Sequence, residues 1–561
     1  MVARIGGVKA KTGQRDVAVV HGMKRRRVAV IAAHLRIAMD QRTYPVTTRR
    51  QSRRDLATDQ SARAGDEDPQ GCHASCQHGA TTAFVQTYEL MMEKFDLIVI
   101  GAGAAGLTAA GGAAMFGLRV ALIEAGTMGG ECLNTGCVPS KALLAAAKAA
   151  HAARDGERFG ITATPQIDWA GVRAHVDGAI AAIAPHAAQQ RFEAMGIEVI
   201  RAPAKFIDGK SLQVGNRRLT APRIVIATGS KPAIPPIEGL ADVPYLTNET
   251  LFTLERLPGH LIVLGGGAIG IEMAQAFRRL GSAVTVIEHD RPLGRDDVDA
   301  ATLVIAQLRS EGVTFELARK ATSVAIDGRS IVVTLDDGNT LTGSHLLVAT
   351  GRRANIGDLD LAAAGVKAGK HGIDVDARRR TANRRIYAIG DCRAGPRFTH
   401  VAGYEGALVG LDIALGWPGK VDWRALPHVT YSDPELAQIG LTEAEARDRY
   451  GPVGVTRQDF SDNDRAVTEG DTRGFLKLIR HRGKVVGVTI VGAGAGELLQ
   501  PWAQIISGKG SAFALGSAIV AYPTRSEIAK AAAFAAYAPA VFGKWPKRWA
   551  AAVAGTRRWF S

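Results

Sequence analysis

Phe95-Asp96-Leu97-Ile98-Val99-Ile100-Gly101-Ala102-Gly103-Ala104-Ala105-Gly106 opens the first strongly patterned part of the chain, and after a helix-like run Val120-Ala121-Leu122-Ile123-Glu124 closes the unit. The same pattern returns as Leu261-Ile262-Val263-Leu264, Gly265-Gly266-Gly267-Ala268-Ile269-Gly270, a second helical run, and Val284-Thr285-Val286-Ile287-Glu288. Each copy reads as strand, turn, helix, strand, a βαβ unit, with the acid at the same distance from the first glycine. A Gly-x-Gly-x-x-Gly turn alone is weak evidence. With its strand, its helix and its acid it predicts a dinucleotide site. Gly101, Gly103 and Gly106, and Gly265, Gly267 and Gly270, let the backbone approach a pyrophosphate. The helix start then offers free N–H groups to the charge. Glu124 and Glu288 are positioned to accept from a ribose 2′-hydroxyl.

Two such sites imply two dinucleotides, and the natural pair is a flavin and a nicotinamide. The first site lies beside two cysteines and is assigned to FAD; the second is assigned to the nicotinamide. Glu288 would repel a 2′-phosphate, which favours NADH over NADPH, although Arg291 and Arg295 lie near it in sequence. The cysteines stand in Gly129-Gly130-Glu131-Cys132-Leu133-Asn134-Thr135-Gly136-Cys137-Val138-Pro139-Ser140-Lys141. A Cys-x4-Cys pair on one segment can close into a small disulfide ring that is easier to reduce than a structural bridge. A nearby cation or helix start would hold one sulfur as thiolate. Half a zinc site is the alternative, but no second Cys or His pair stands at metal spacing, so no metal site is expected.

The bulk properties exclude several classes. A chain of 561 residues with five cysteines is no secreted disulfide scaffold. No apolar run is long enough to cross a bilayer, and a cytoplasmic protein is expected. The net charge of +15 suggests nucleic acid. Its excess, however, collects at the two ends, at Lys24-Arg25-Arg26-Arg27 and at Lys544, Lys547, Arg548, Arg557 and Arg558, without an aromatic-basic module. No nucleic-acid partner is expected. Residues 1–92 lack apolar periodicity and read as a disordered or mis-started extension. Cys72-His73-Ala74-Ser75-Cys76-Gln77-His78 within them reads as incidental. The tail, 536–561, mixes cations with Trp545, Trp549 and Trp559. A helix packing on a dimer is preferred there over contact with an anionic membrane.

At the cysteine motif the sequence strongly resembles the flavoprotein pyridine nucleotide-disulfide oxidoreductases, from about Phe95 to about Lys530. Further segments match in order: Ile226-Ala227-Thr228-Gly229-Ser230, Val348-Ala349-Thr350-Gly351-Arg352, Ile386-Tyr387-Ala388-Ile389-Gly390-Asp391, and Tyr431-Ser432-Asp433-Pro434-Glu435. The resemblance implies an α/β fold with two Rossmann-like domains and a C-terminal α+β dimerisation domain. The FAD domain (93–245 and 352–424) is interrupted by the NAD(P) domain (246–351), and the interface domain covers 425–535. It implies that Cys137 lies nearest the flavin as the charge-transfer thiolate and that Cys132 is the interchange thiol. Lys141 would lie near flavin N5, paired with Glu272. Gly130, Thr228, Gly229, Ser230 and Asp391 would contact FAD, the backbone of Ala204 would approach the adenine, and Gly351 would approach the nicotinamide nucleotide. The enzyme would be a homodimer in which Tyr522 and Glu527 reach the other subunit's Cys132.

The departure from the family lies at Tyr522-Pro523-Thr524-Arg525-Ser526-Glu527. Dithiol-handling members carry His where Tyr522 stands, and a phenol titrating near 10 is a poor general base at pH 7. Tyrosine there favours the mercuric-reductase-like branch. That branch's C-terminal vicinal cysteines and its N-terminal metal-capture module are not found. The acceptor is therefore an unassigned thiol, metal or electrophile. The alternatives are a dihydrolipoyl dehydrogenase, or a diaphorase reducing quinones with the cysteines as bystanders. Cys392 reads as a core thiol, and His400 and His428 as structural.

Overall fold

A computed structural model describes residues 92–560. The expectations for 1–91, including Cys72 to His78, fall outside the described residues. Strand β1 (Leu97–Ile100) is buried along its whole length, as a central strand of a parallel sheet must be. Helix α1 (Ala104–Ala114) returns the chain to β2 (Val120–Ile123). Helix α2 (Cys137–Arg154) and further helical turns lead to β3 (Glu198–Ile200), and a small antiparallel excursion leads to β4 (Arg223–Ile226).

The chain then enters a second unit. Strand β5 (His260–Leu264), helix α3 (Ala268–Leu280), β6 (Ala283–Glu288), β7 (Thr314–Leu317) and β8 (His345–Val348) form a parallel sheet in the order β7-β6-β5-β8. It returns to the first sheet at β9 (Ile386–Ala388), which completes the parallel order β9-β4-β1-β2-β3. In both sheets the strand before the glycine turn is flanked by the strand after the helix and by the strand of the later Ala-Thr-Gly segment. The internal repeat is thus a repeat of topology. Helix α4 (Thr399–Leu415) packs on α1, and a side chain at Gly406 would strike the Ala105 carbonyl oxygen at 2.5 Å, so small residues set how closely the helices approach.

The C-terminal unit is an antiparallel sheet of β10 (Pro427–Thr430), β11 (Glu435–Gly440), β12 (Gly454–Asp459), β13 (Phe475–His481) and β14 (Lys484–Gly492), in the order β10-β11-β14-β13-β12. Helix α5 (Glu527–Val541) buries Ile528, Ala529, Ala532 and Ala533 in this unit's core, and its Ala-rich run carries it past residue 535. A separate helix, α6 (Lys544–Phe560), follows. Two buried ion networks tie this unit to the second sheet. Arg279 of α3 donates to Glu311 at 2.6 Å and to Asp433 at 2.9 Å. Lys477 of β13 bonds both carboxylate oxygens of Asp297 at 2.9 Å. No described helix is long and apolar enough to cross a membrane.

Candidate redox site

The two glycine turns adopt one conformation. Gly101 and Gly265 lie at φ +104 and +106, where L side chains are strained, and a side chain on either would strike the carbonyl oxygen of Ala227 or Ala349. Those alanines open the two Ala-Thr-Gly segments, so each segment leaves its strand directly behind the turn. Added carbons at Gly106 and Gly270 would meet the Gly101 and Gly265 oxygens at 1.8 and 1.9 Å. The acids repeat as well: Glu124 accepts from the N–H of Ala102 and of Gly126, and Glu288 from that of Gly266 and of Asp290. Helices α1 and α3 start at Gly103 and Gly267 with no side-chain cap and no acid in the first turn. Asp168, Asp297, Thr442 and Ser511 cap four other helices with their side chains. Two bare helix starts behind glycine turns are the donor set that a pyrophosphate requires, so both cradles fit a dinucleotide.

The cysteine segment lies against the first cradle. Gly130, at φ +65, comes so close that an added carbon would meet Gly103 Cα at 2.8 Å. Cys132 sits in the short helix Gly130–Asn134, and Asn134 closes it by donating to the Met128 and Gly130 carbonyls. Cys137 is the first residue of α2, whose start at Gly136 is uncapped. Both sulfurs are free thiols in this structure, Cys137 exposed and Cys132 half-buried. A hydrogen bond from Cys132 pulls Cys137 down to about 6, helped by Thr399, whose hydroxyl lies 3.5 Å from its sulfur, and by the Lys141 charge, against burial. The same bond, with burial and the Cys137 charge, pushes Cys132 far above the ordinary thiol range. The two thiols therefore titrate as one pair, whose first proton is lost easily and whose second is held tightly.

Helix α2 buries Leu143, Ala147 and Ala150 against Ile271, Met273 and Phe277 of α3. That packing brings Lys141 to Glu272, Nζ to Oε2 at 2.8 Å. Glu272, 5% exposed, also accepts from the Tyr431 N–H at 2.9 Å, and the Lys141 ammonium lies 4.4 Å from the Tyr431 ring centre. Ser230 donates to Asp391 at 2.9 Å, and Arg352 donates to Ser230 at 2.8 Å. The two Ala-Thr-Gly segments are joined by pairing of Ser230–Pro232 with Arg352–Ala354. Thr228 and Gly229 stand beside that junction, and Gly229 and Gly351, both at positive φ, face open space. Ala204 opens a separate strand, where it pairs with Val214 and is buried.

Tyr522 and Glu527 are not brought to this chain's own cysteines by any hydrogen bond. Tyr522, 71% exposed, donates to Asp464 at 2.9 Å, and Glu527 accepts from the Thr524 N–H. Cys392 is a buried thiol bonded to the Ile226 and Ile389 carbonyls, and burial pushes it up to about 12. His400 bonds the Pro427 carbonyl, and His428 bonds Asp296.

Sequence reasoning missed Glu131. Its carboxylate is held by Arg352 and, at 2.7 Å, by Asn248. Asn248 lies at the entry to the inserted nicotinamide unit and Arg352 at its exit. Glu131, next to Cys132, thus ties the cysteine segment to both connections of the inserted unit. Its charge within the Gly-Gly-Glu-Cys run was the one available signal.

The family model described as pyridine nucleotide-disulphide oxidoreductase matches residues 95–406, and that of the family's dimerisation domain matches 426–533. A mercuric reductase of Streptomyces lividans is 39% identical over 419 residues, covering 72% of this chain and 88% of that protein. A dihydrolipoyl dehydrogenase of Thermus scotoductus is 36% identical over 447 residues, covering 78% and 96%. The Cu(II) complex of the HOCl-induced flavoprotein disulfide reductase RclA from Escherichia coli superposes with a TM-score of 0.71 at 28% identity, covering 78% of this chain and 98% of that one.

Proposed function

The chain belongs to the pyridine nucleotide-disulphide oxidoreductase family of flavoenzymes, and from that premise we propose that it is an NADH-dependent homodimeric reductase whose Cys132–Cys137 pair serves a thiophilic metal ion or a small electrophile. The observation that carries the reading is the pair of free thiols, one of them at the start of α2, with Thr399 against Cys137, combined with Tyr522 where an imidazole would be needed. FAD, when bound, supplies acceptance of a hydride from the nicotinamide and its passage as an electron pair to the disulfide. The chain's own residues do the rest. The Cys132 hydrogen bond, Thr399 and Lys141 hold Cys137 as thiolate. The proton the pair still holds is released to solvent or to the displaced thiolate ligand when a metal ion takes both sulfurs. A soft cation takes two sulfurs without a proton donor, which suits a site served by a phenol. Asp464 pushes Tyr522 further up, so the phenol stays a hydrogen-bond donor.

Preference for NADH is supported by the Glu288, His289 and Asp290 cluster and by Arg291, which spends its guanidinium on the Gly294 and Asp296 carbonyls. Cytoplasmic work follows from the dependence on nicotinamide and on free thiols. The second reading, a dihydrolipoyl dehydrogenase, is favoured by the long match to that Thermus protein. An acceptor panel separates the two: NADH oxidation is followed anaerobically with thiol-liganded mercuric ion, lipoamide, glutathione disulfide and a quinone. The proposal expects the metal ion to support turnover abolished by Cys132→Ser. Lipoamide as the best acceptor would overturn it, and quinone turnover indifferent to Cys132→Ser would make the cysteines bystanders.

A further inference from the structure

We propose that helix α6 lies flat on an anionic lipid bilayer and holds the enzyme at that surface. The sequence alone favours packing on the dimer for this tail. The structure shows a continuous helix, Lys544–Phe560, whose described side chains are exposed apart from a partly covered Val553. At 3.6 residues per turn, Trp545, Trp549, Ala552, Val553 and Thr556 share one face. Trp545 and Trp549 on that face are 76% and 64% exposed. Lys544, Lys547, Arg548, Arg557 and Arg558 cover the flanks and the back.

Charge decides what covers the apolar face. Residues 528–560 contain no carboxylate side chain, and Lys530 adds to the five cations of α6. A second copy of the chain would bring the same cations to meet these. An anionic headgroup layer complements them, and each cation near such a surface strengthens binding about fivefold. Indole rings favour the boundary between headgroup and acyl chain, where the ring is buried and its N–H stays wet. The helix is about 26 Å long, and its five cations forbid a spanning orientation, so it can only lie in the interface. Pro546 falls in the first turn, where a missing N–H costs no helical bond.

The test uses the full-length, FAD-loaded protein with vesicles of mixed phosphatidylglycerol and phosphatidylcholine, and with vesicles of phosphatidylcholine alone. Co-sedimentation and quenching of tryptophan emission by brominated acyl chains are read at rising salt. Binding to the anionic vesicles alone, weakened by salt and accompanied by quenching, is expected. The double variant Trp545→Ser with Trp549→Ser should lose about tenfold or more in affinity at unchanged flavin content and elution volume. Lys547→Glu with Arg548→Glu, which keeps both indoles, should do the same. Absence of binding, or equal binding to neutral vesicles, overturns the proposal. Full binding by the double tryptophan variant overturns it too, by assigning the attraction to the basic residues near Lys24. A smaller particle on elution of that variant would show that a second copy covers the face.

Discussion

At the scale of single residues the site is an arrangement for keeping one sulfur charged. Cys137 is drawn down to about 6 from an ordinary thiol value of 9.0, so in the reduced enzyme it is thiolate above that pH and takes a proton as pH falls through it. Iodoacetamide reactivity of the NADH-reduced enzyme should therefore fall by half near pH 6. A midpoint above 8 would show that the neighbours do not act as argued. Thr399→Val removes one hydrogen bond to the thiolate and should raise that midpoint by about one unit, the equivalent of a weak charge-assisted bond. Glu131 works differently. Burial pushes its carboxyl up while Arg352 pulls it down. Glu131→Gln keeps the shape and the Asn248 contact but leaves the largely buried guanidinium only the more distant Asp391 carboxylate, at 4.0 Å, at a cost of about 1–3 kcal/mol. The midpoint of thermal flavin release should drop by about 2–4 °C for each kcal/mol lost. An unchanged midpoint would mean the clamp is ornamental.

At the scale of elements, the two nucleotide cradles are the same solution reached twice, and this lets them be disabled separately. Gly101→Ala forces an L residue to φ +104 and drives its side chain into the Ala227 oxygen at 2.4 Å. Gly265→Ala does the same at +106 against Ala349 at 2.7 Å. The first variant should purify without flavin colour. The second should purify yellow, be bleached by dithionite, and resist NADH. A yellow first variant, or an NADH-reducible second one, would reverse the assignment of the cradles. Both turns were legible in the sequence because a glycine requirement is written locally, in the residue that must be small. So was the burial of β1 and of Leu261–Leu264 in β5, where the side chains are apolar on both faces of the sheet. The Glu131 clamp was not legible. Its partners stand 117 and 221 residues away, and nothing in Asn248 or Arg352 read alone announces a meeting. The tail was half legible: its composition named two surroundings, and only the helix, with its exposed indoles on one face, gave grounds to prefer one.

At the scale of the molecule the question is which subunit completes a site. The buried pairs Arg279–Asp433 and Lys477–Asp297 fix the C-terminal unit against the nicotinamide unit. Removing the cation of either network costs about 3–5 kcal/mol, because the buried carboxylate of Glu311 or Asp297 loses its counter-charge. Within that rigid frame Tyr522 and Glu527 bond Asp464 and Thr524, and no hydrogen bond joins them to the cysteines of the same chain. If they act on Cys132, they act across the dimer. Neither a Cys132→Ser homodimer nor a Tyr522→Ala/Glu527→Ala homodimer would then contain a complete acceptor site. A mixed dimer would contain one, built from the cysteines of the second variant and the tyrosine and glutamate of the first. Unfolding and refolding the two variants together should therefore restore metal-ion turnover that neither shows alone, with the activity co-eluting as a dimer. If each variant refolded alone matches the mixture, every site is built within one chain and the interface serves stability only.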